Sequence, residues 1–133
     1  MTDNSDPTTS TADREDDRLE PIQPLGARIR VVAYVPDLMD RSRLSTLGDV
    51  DLVHVQSPHE LAAVTAAKPT DLVIVDVARS GVLEELRVGL KARVVGFASH
   101  VDKELIADAH AAGCTEVLAR SRFFKHLPEL VGG

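Results

Sequence analysis

The chain has 133 residues, 44% apolar and 27% charged, with a formal net charge of −6 at pH 7. That length bounds it to one small domain plus an appendage. A single cysteine, Cys114, excludes an internal disulfide and a cysteine metal cluster. No apolar run approaches the roughly 20 residues of a membrane span. With no Trp, one Tyr and three Phe, the chain lacks aromatic platforms for stacking bases, and its core must be aliphatic.

Charge divides the chain in two. Residues 1–26 hold seven acids against Arg14 and Arg18, a balance of −5, whereas residues 27–133 stand at −1. The acidic stretch also carries three prolines and a Ser/Thr cluster. Such a composition cannot bury enough apolar surface to fold, so residues 1–26 are expected to be a disordered acidic tail ahead of a domain at 27–133. The polar, acidic start lacks a signal-peptide layout, and cytoplasm is the expected compartment. A body without net basic charge argues against nucleic acid as a partner.

From residue 28 the elements alternate. Residues 28–35 (R-I-R-V-V-A-Y-V) read as a β-branched strand closed by Pro36 and Asp37. A helix follows over 38–47, with Met39, Leu44 and Leu47 expected inward and Gly48 as its stop. Residues 50–56 alternate like a more peripheral strand. Ser57-Pro58-His59-Glu60 has the form of a capping box with proline at the first position, opening a helix that Pro69 ends. The four apolar residues Leu72 to Val75 then run without polar alternation, as in a strand covered on both faces, and finish in Asp76. A short helix over 82–90 should turn Leu83, Leu86 and Leu90 inward. A strand over 92–97, a helix from a cap at Ser99 or Asp102 to Gly113, and a short strand over 115–119 follow. In the last helix, 121–131, Pro128 is expected to break or kink the chain.

Five strands alternating with five helices imply right-handed βαβ crossovers and a three-layer α/β/α sandwich. Ligands and chemistry in such sheets lie beyond the carboxyl ends of the strands, where Asp76 falls. In order, spacing and central strand, residues 28–131 resemble the receiver domain of bacterial response regulators. That is a flavodoxin-like fold with a five-stranded parallel sheet in the order 2-1-3-4-5. The segment D-L-V-I-V-D-V-A-R-S-G places Asp76 on the family's phosphoacceptor and Gly81 on the glycine that follows it. The stretches V-V-G-F-A-S-H-V-D and A-H-A-A-G-C-T-E-V-L-A-R are similar to the family's fourth strand and to its fourth helix and fifth strand.

The departures from that family are chemical. Its receivers bind Mg²⁺ through the acceptor and an acidic pair at the end of the first strand. Here those positions are Ala33 and Tyr34, or Tyr34 and Val35. One carboxylate among apolar neighbours is a poor site for a hard cation that wants octahedral oxygen ligands. Asp37 could contribute only by swinging back past Pro36. The family's switch hydroxyl falls on Ala98, with Ser99 beside it, its lysine on Arg120, and its cis-proline on Ser121. His100, three residues past the fourth strand, is the histidine expected nearest Asp76. The resemblance therefore implies a degenerate, stand-alone signalling module of phosphorelay type with no metal or other cofactor. It would not be an enzyme, and it would act by binding a protein partner, a second copy included.

In receivers the fourth helix, fifth strand and fifth helix form the common docking face. Phe123 and Phe124 lie in that last helix beside Arg122 and Lys125. Adjacent helical residues point about 100° apart. One ring is therefore expected to remain exposed as an interface anchor with a basic rim, the alternative being that both fold under the domain and seal its end as core. Two other readings stay open: a genuine phosphoacceptor at Asp76, and a small-molecule-binding flavodoxin-like protein. Against the second, V-P-D-L-M after the first strand is no phosphate loop and no D-x-H-x-x-G is present.

Overall fold

The computed structural model describes residues 20–26 and 28–132. Strands and helices alternate: β1 (Ile29–Tyr34), α1 (Leu38–Ser45), β2 (Val50–His54), α2 (Glu60–Ala67), β3 (Leu72–Asp76), α3 (Val82–Leu86), β4 (Arg93–Ala98), α4 (Lys103–Ala112), β5 (Glu116–Ala119) and α5 (Arg120–Leu130). The strands form one parallel sheet in the order β2-β1-β3-β4-β5. This is the expected 2-1-3-4-5 arrangement. Every residue of β3 is buried, as its unbroken apolar run requires of a central strand.

Side chains alternate across the sheet and feed two cores. On one face Val31, Ala33, Ile74 and Phe97 meet Leu44 of α1 and the apolar stripe of α5. On the other, Val32, Val73, Val75 and Val94 meet Leu61 of α2, Val82 and Leu86 of α3, and Ala109 of α4. The register pairs Tyr34 with Val75 and Asp76 with Phe97, which sets the carboxyl ends of β1, β3 and β4 side by side. Among the described residues no helix is long and apolar enough to cross a membrane.

Local signals explain most of the helix ends. Asp37 caps α1 by accepting the Asp40 amide at 3.0 Å, and Asp102 caps α4 by accepting the Leu105 amide at 2.9 Å. Gly113 ends α4 with φ of 118°, a conformation that favours glycine. At α2 the capping box forms only in part. The Glu60 carboxylate reaches back to the Gln56 amide at 2.8 Å, and Ser57–Pro58 make a turn ahead of the helix. Helix α3 is shorter than expected, because Gly89 turns with φ of 92° and the chain leaves after Leu86.

Three expectations need correction. Met39 is not inward: it is 76% exposed and Leu38 77%, while Asp40 takes the buried position. The inward stripe of α1 runs Asp40, Leu44, Leu47, a spacing of four and three. Pro128 does not break α5, which continues to Leu130. The proline removes one intrahelical hydrogen bond near the end, and buried Leu127 and Leu130 on either side of it hold the last turn.

The third correction concerns the paired phenylalanines. Phe123 is fully buried and Phe124 is 9% exposed, so neither is the exposed anchor. The apolar arc of a sheet-packed helix is wider than 100°, enough to take both neighbours. Phe97 of β4 stacks on Phe123 at 5.0 Å and meets Phe124 edge-on at 5.5 Å. The Arg43 guanidinium covers the Phe124 ring at 4.5 Å from its centroid. Arg122 and Lys125 remain on the exposed side of α5.

The stretch 20–26, assigned by composition to the tail, makes contacts with the body. The Glu20 carbonyl accepts Arg93 Nη1 at 2.6 Å, and the Ile22 amide donates to the Leu130 carbonyl at 2.9 Å, its half-buried side chain against the core. The Leu25 amide donates to Asp71 Oδ1 at 2.8 Å. The rest of the expected tail, residues 1–19, lies outside the described residues. Because the ring cluster is core, Phe123→Ala should cost about 3–5 kcal/mol. Urea unfolding measures this directly, and a loss below about 1 kcal/mol would return Phe123 to the surface.

Candidate functional site

Asp76 ends β3 at the carboxyl edge of the sheet, where the surrounding strands deliver mostly apolar groups. Its side chain is only 6% exposed. One oxygen accepts the Ala78 amide at 3.2 Å and the other accepts Arg79 Nε at 3.2 Å. Both donors belong to the loop that follows β3, so the acid is closed over by its own turn. That turn is held tightly. The Val77 amide donates to the Phe97 carbonyl at 3.0 Å, and a Cβ at Gly96 would collide with the Val77 side chain. Glycine at 96 is what lets β4 pass this close.

A second buried acid stands near it, one that sequence reasoning missed. Asp40, in the first turn of α1, has a side chain 5% exposed and lies 3.2 Å from Arg120 Nε at the start of α5. Among the described residues neither Asp40 Oδ2 nor Arg120 Nε has a hydrogen-bond partner, so their contact is electrostatic. Burial pushes the Asp40 carboxyl above its ordinary value, and Arg120 opposes that rise. Asp37 and Asp76 add to it, and Arg43 opposes it. The signal for Asp40 was available: it sits four residues before Leu44, on the same helical stripe.

The other residues expected at the site are dispersed. Arg120 pairs with Asp40 and not with Asp76. Ser99 and His100 are exposed in the loop after β4, and the hydrogen bonds to the Asp76 carboxylate come from Ala78 and Arg79. Ala33 is fully buried and Tyr34 half-buried at the end of β1, where a metal-binding receiver would need carboxylates. Asp37 is committed to capping α1. Among the described residues no group of three or more His, Cys, Asp or Glu could hold a metal ion. The donors present do not fit Mg²⁺, since each of the two buried acids at this edge already faces an arginine. His54 ends β2 with both ring nitrogens unpartnered, its pKa lowered by burial and by Arg41. Cys114 is buried and its thiol is pushed up to about 11, which keeps it protonated and unreactive.

No protein-family model and no curated protein matches the chain. Solved structures do. A response regulator from Thermotoga maritima superposes with a TM-score of 0.66 at 18% identity, covering 77% of this chain and 92% of that one. The signal receiver domain of the response regulator NarL from Mycobacterium tuberculosis gives 0.64 at 19% identity, covering 78% and 93%. The Vibrio cholerae chemotaxis protein CheY4 gives 0.63 at 16% identity, covering 79% and 100%. At these identities the likeness establishes the fold: a receiver-type, flavodoxin-like domain. Its carboxyl edge holds two buried acids and two arginines.

The Asp40 environment carries a pH dependence. A carboxyl raised in the folded chain binds its proton more readily there than when unfolded. Its contribution to stability is therefore fullest below the ordinary value of 3.8 and is lost as pH rises through the raised value. Asp40→Asn removes that titration. The stability of the native protein relative to Asp40→Asn should fall as pH climbs from 3.8 towards neutrality. Urea unfolding of both proteins across that range tests it. A difference that grows with pH would mean that Arg120 outweighs burial.

Proposed function

We propose that this domain is a degenerate receiver-like signalling module that acts through protein–protein contact and not by metal-assisted phosphoryl transfer. The closed state of Asp76 carries this reading. Transfer of a phosphoryl group to a carboxylate needs a free oxygen for in-line attack and a cation to neutralise the transferring oxygens. Both Asp76 oxygens are engaged by its own loop, and the end of β1 supplies no carboxylate to bring a metal beside them. Asp40 does not replace the missing pair, because Arg120 occupies its charge. The receiver-type structures that the fold matches support a signalling role.

The partner would read a surface whose acids are buried and whose arginines, Arg79 and Arg120, reach solvent. Acetyl phosphate with Mg²⁺ is the direct test of the chemistry. Intact mass should stay unchanged, and beryllofluoride should leave the amide resonances around Asp76 unmoved. Stoichiometric labelling that disappears in Asp76→Asn would overturn the proposal and make Asp76 a working phosphoacceptor.

A further inference from the structure

At the opposite end of the sheet, where the strands begin, the docked segment 20–26 borders open grooves. A cavity of about 340 Å³ runs along it from Pro21 and Ile22 to Lys91 and Arg93. Lys91 also lines a larger cavity of about 410 Å³, together with Lys68, Thr70 and the exposed Leu25. Among the described residues no carboxylate lines that larger cavity. Among the described residues neither Lys68 nor Lys91 enters an ion pair. Asp71, close by, is already spent, since its oxygens accept the Leu25 and Arg30 amides at 2.8 Å each. The groove thus offers two cations outside any described ion pair over apolar walls, with Asp51 and Asp71 in the adjoining grooves, a seat for carboxylates.

The chain carries such a group within reach. It enters the body at Glu20, tied to Arg93, and the three adjacent acids Glu15-Asp16-Asp17 lie three to five residues upstream. Five extended residues span at most about 17 Å. No other place in the sequence has three acids in a row; Arg14 and Arg18 flank the run without interrupting it. We propose that Glu15-Asp16-Asp17 seats on Lys91 and Lys68 of its own chain. Each exposed ion pair is weak and screened by salt, but a short tether raises the local concentration of the acids to the order of millimolar. Any other acidic ligand for this groove would have to displace the chain's own run. The inference is independent of the chemistry at Asp76.

A nitroxide attached through Ala12→Cys in the full chain tests it, because buried Cys114 does not compete for the label. At low ionic strength the amides of Lys68 and Lys91 should lose at least about half their intensity. The effect should vanish in about 0.5 M salt and in Lys68→Glu/Lys91→Glu, whose substitutions lie on exposed side chains. Absence of broadening at low salt, or broadening that survives both treatments, would overturn the proposal. So would broadening that arises only when spin-labelled and isotope-labelled chains are mixed, which would assign the seat to a second copy.

Discussion

A strand with no exposed side chain, β3, sets the terms for everything around it. Burying both faces of Leu72 to Val75 demands helices above and below the sheet. Four βαβ crossovers and the terminal helix supply them, with α1 and α5 on one side and α2, α3 and α4 on the other. The same strand ends in a carboxylate. Placing Asp76 at the rim of an aliphatic core without a partner would cost several kcal/mol. A counter-charge is therefore forced by the fold, and what remains open is only its source.

The source here is arginine. Arg79 comes from the loop after β3 and Arg120 from the start of α5, and each meets one buried acid. A guanidinium stays charged at any ordinary pH and is tethered to the chain, whereas a metal ion comes and goes with its concentration. The carboxyl edge therefore keeps a fixed positive charge from these arginines, against which Asp40 titrates. Its acids are buried, and the exposed parts of its arginines face solvent.

The fold was legible because its signals are strong and local. An unbroken apolar run, a C-terminal glycine stop at Gly113 and a capping aspartate at 102 each have one structural meaning. The misreadings share a cause: tertiary contacts overrode the local rule. Met39 looked like core, yet the stripe through Leu44 and Leu47 passes through Asp40 instead. Only the distant Arg120, 80 positions further along, makes that acid tolerable there. The phenylalanine pair was judged on an isolated helix, but Phe97 and Arg43 widen the buried arc from outside it. Asp76 was found by position, and Arg79, three residues on, is a partner that its spacing allows.

Asp71 shows why the body does not end where composition changes. Its buried carboxylate accepts one amide from β1 and one from Leu25, so the start of the first strand and the segment before it share a single anchor. Two charge-assisted hydrogen bonds to one desolvated acid are worth more than either alone, since losing one leaves the carboxylate partly unsatisfied. Ile22 then adds apolar contact next to α5, whose Leu130 carbonyl takes its amide. Residues that look like tail by proline and charge are thereby fixed by backbone groups, which composition does not report. The described chain thereby starts at the end of the domain where the strands begin, with its Glu20 carbonyl held by Arg93.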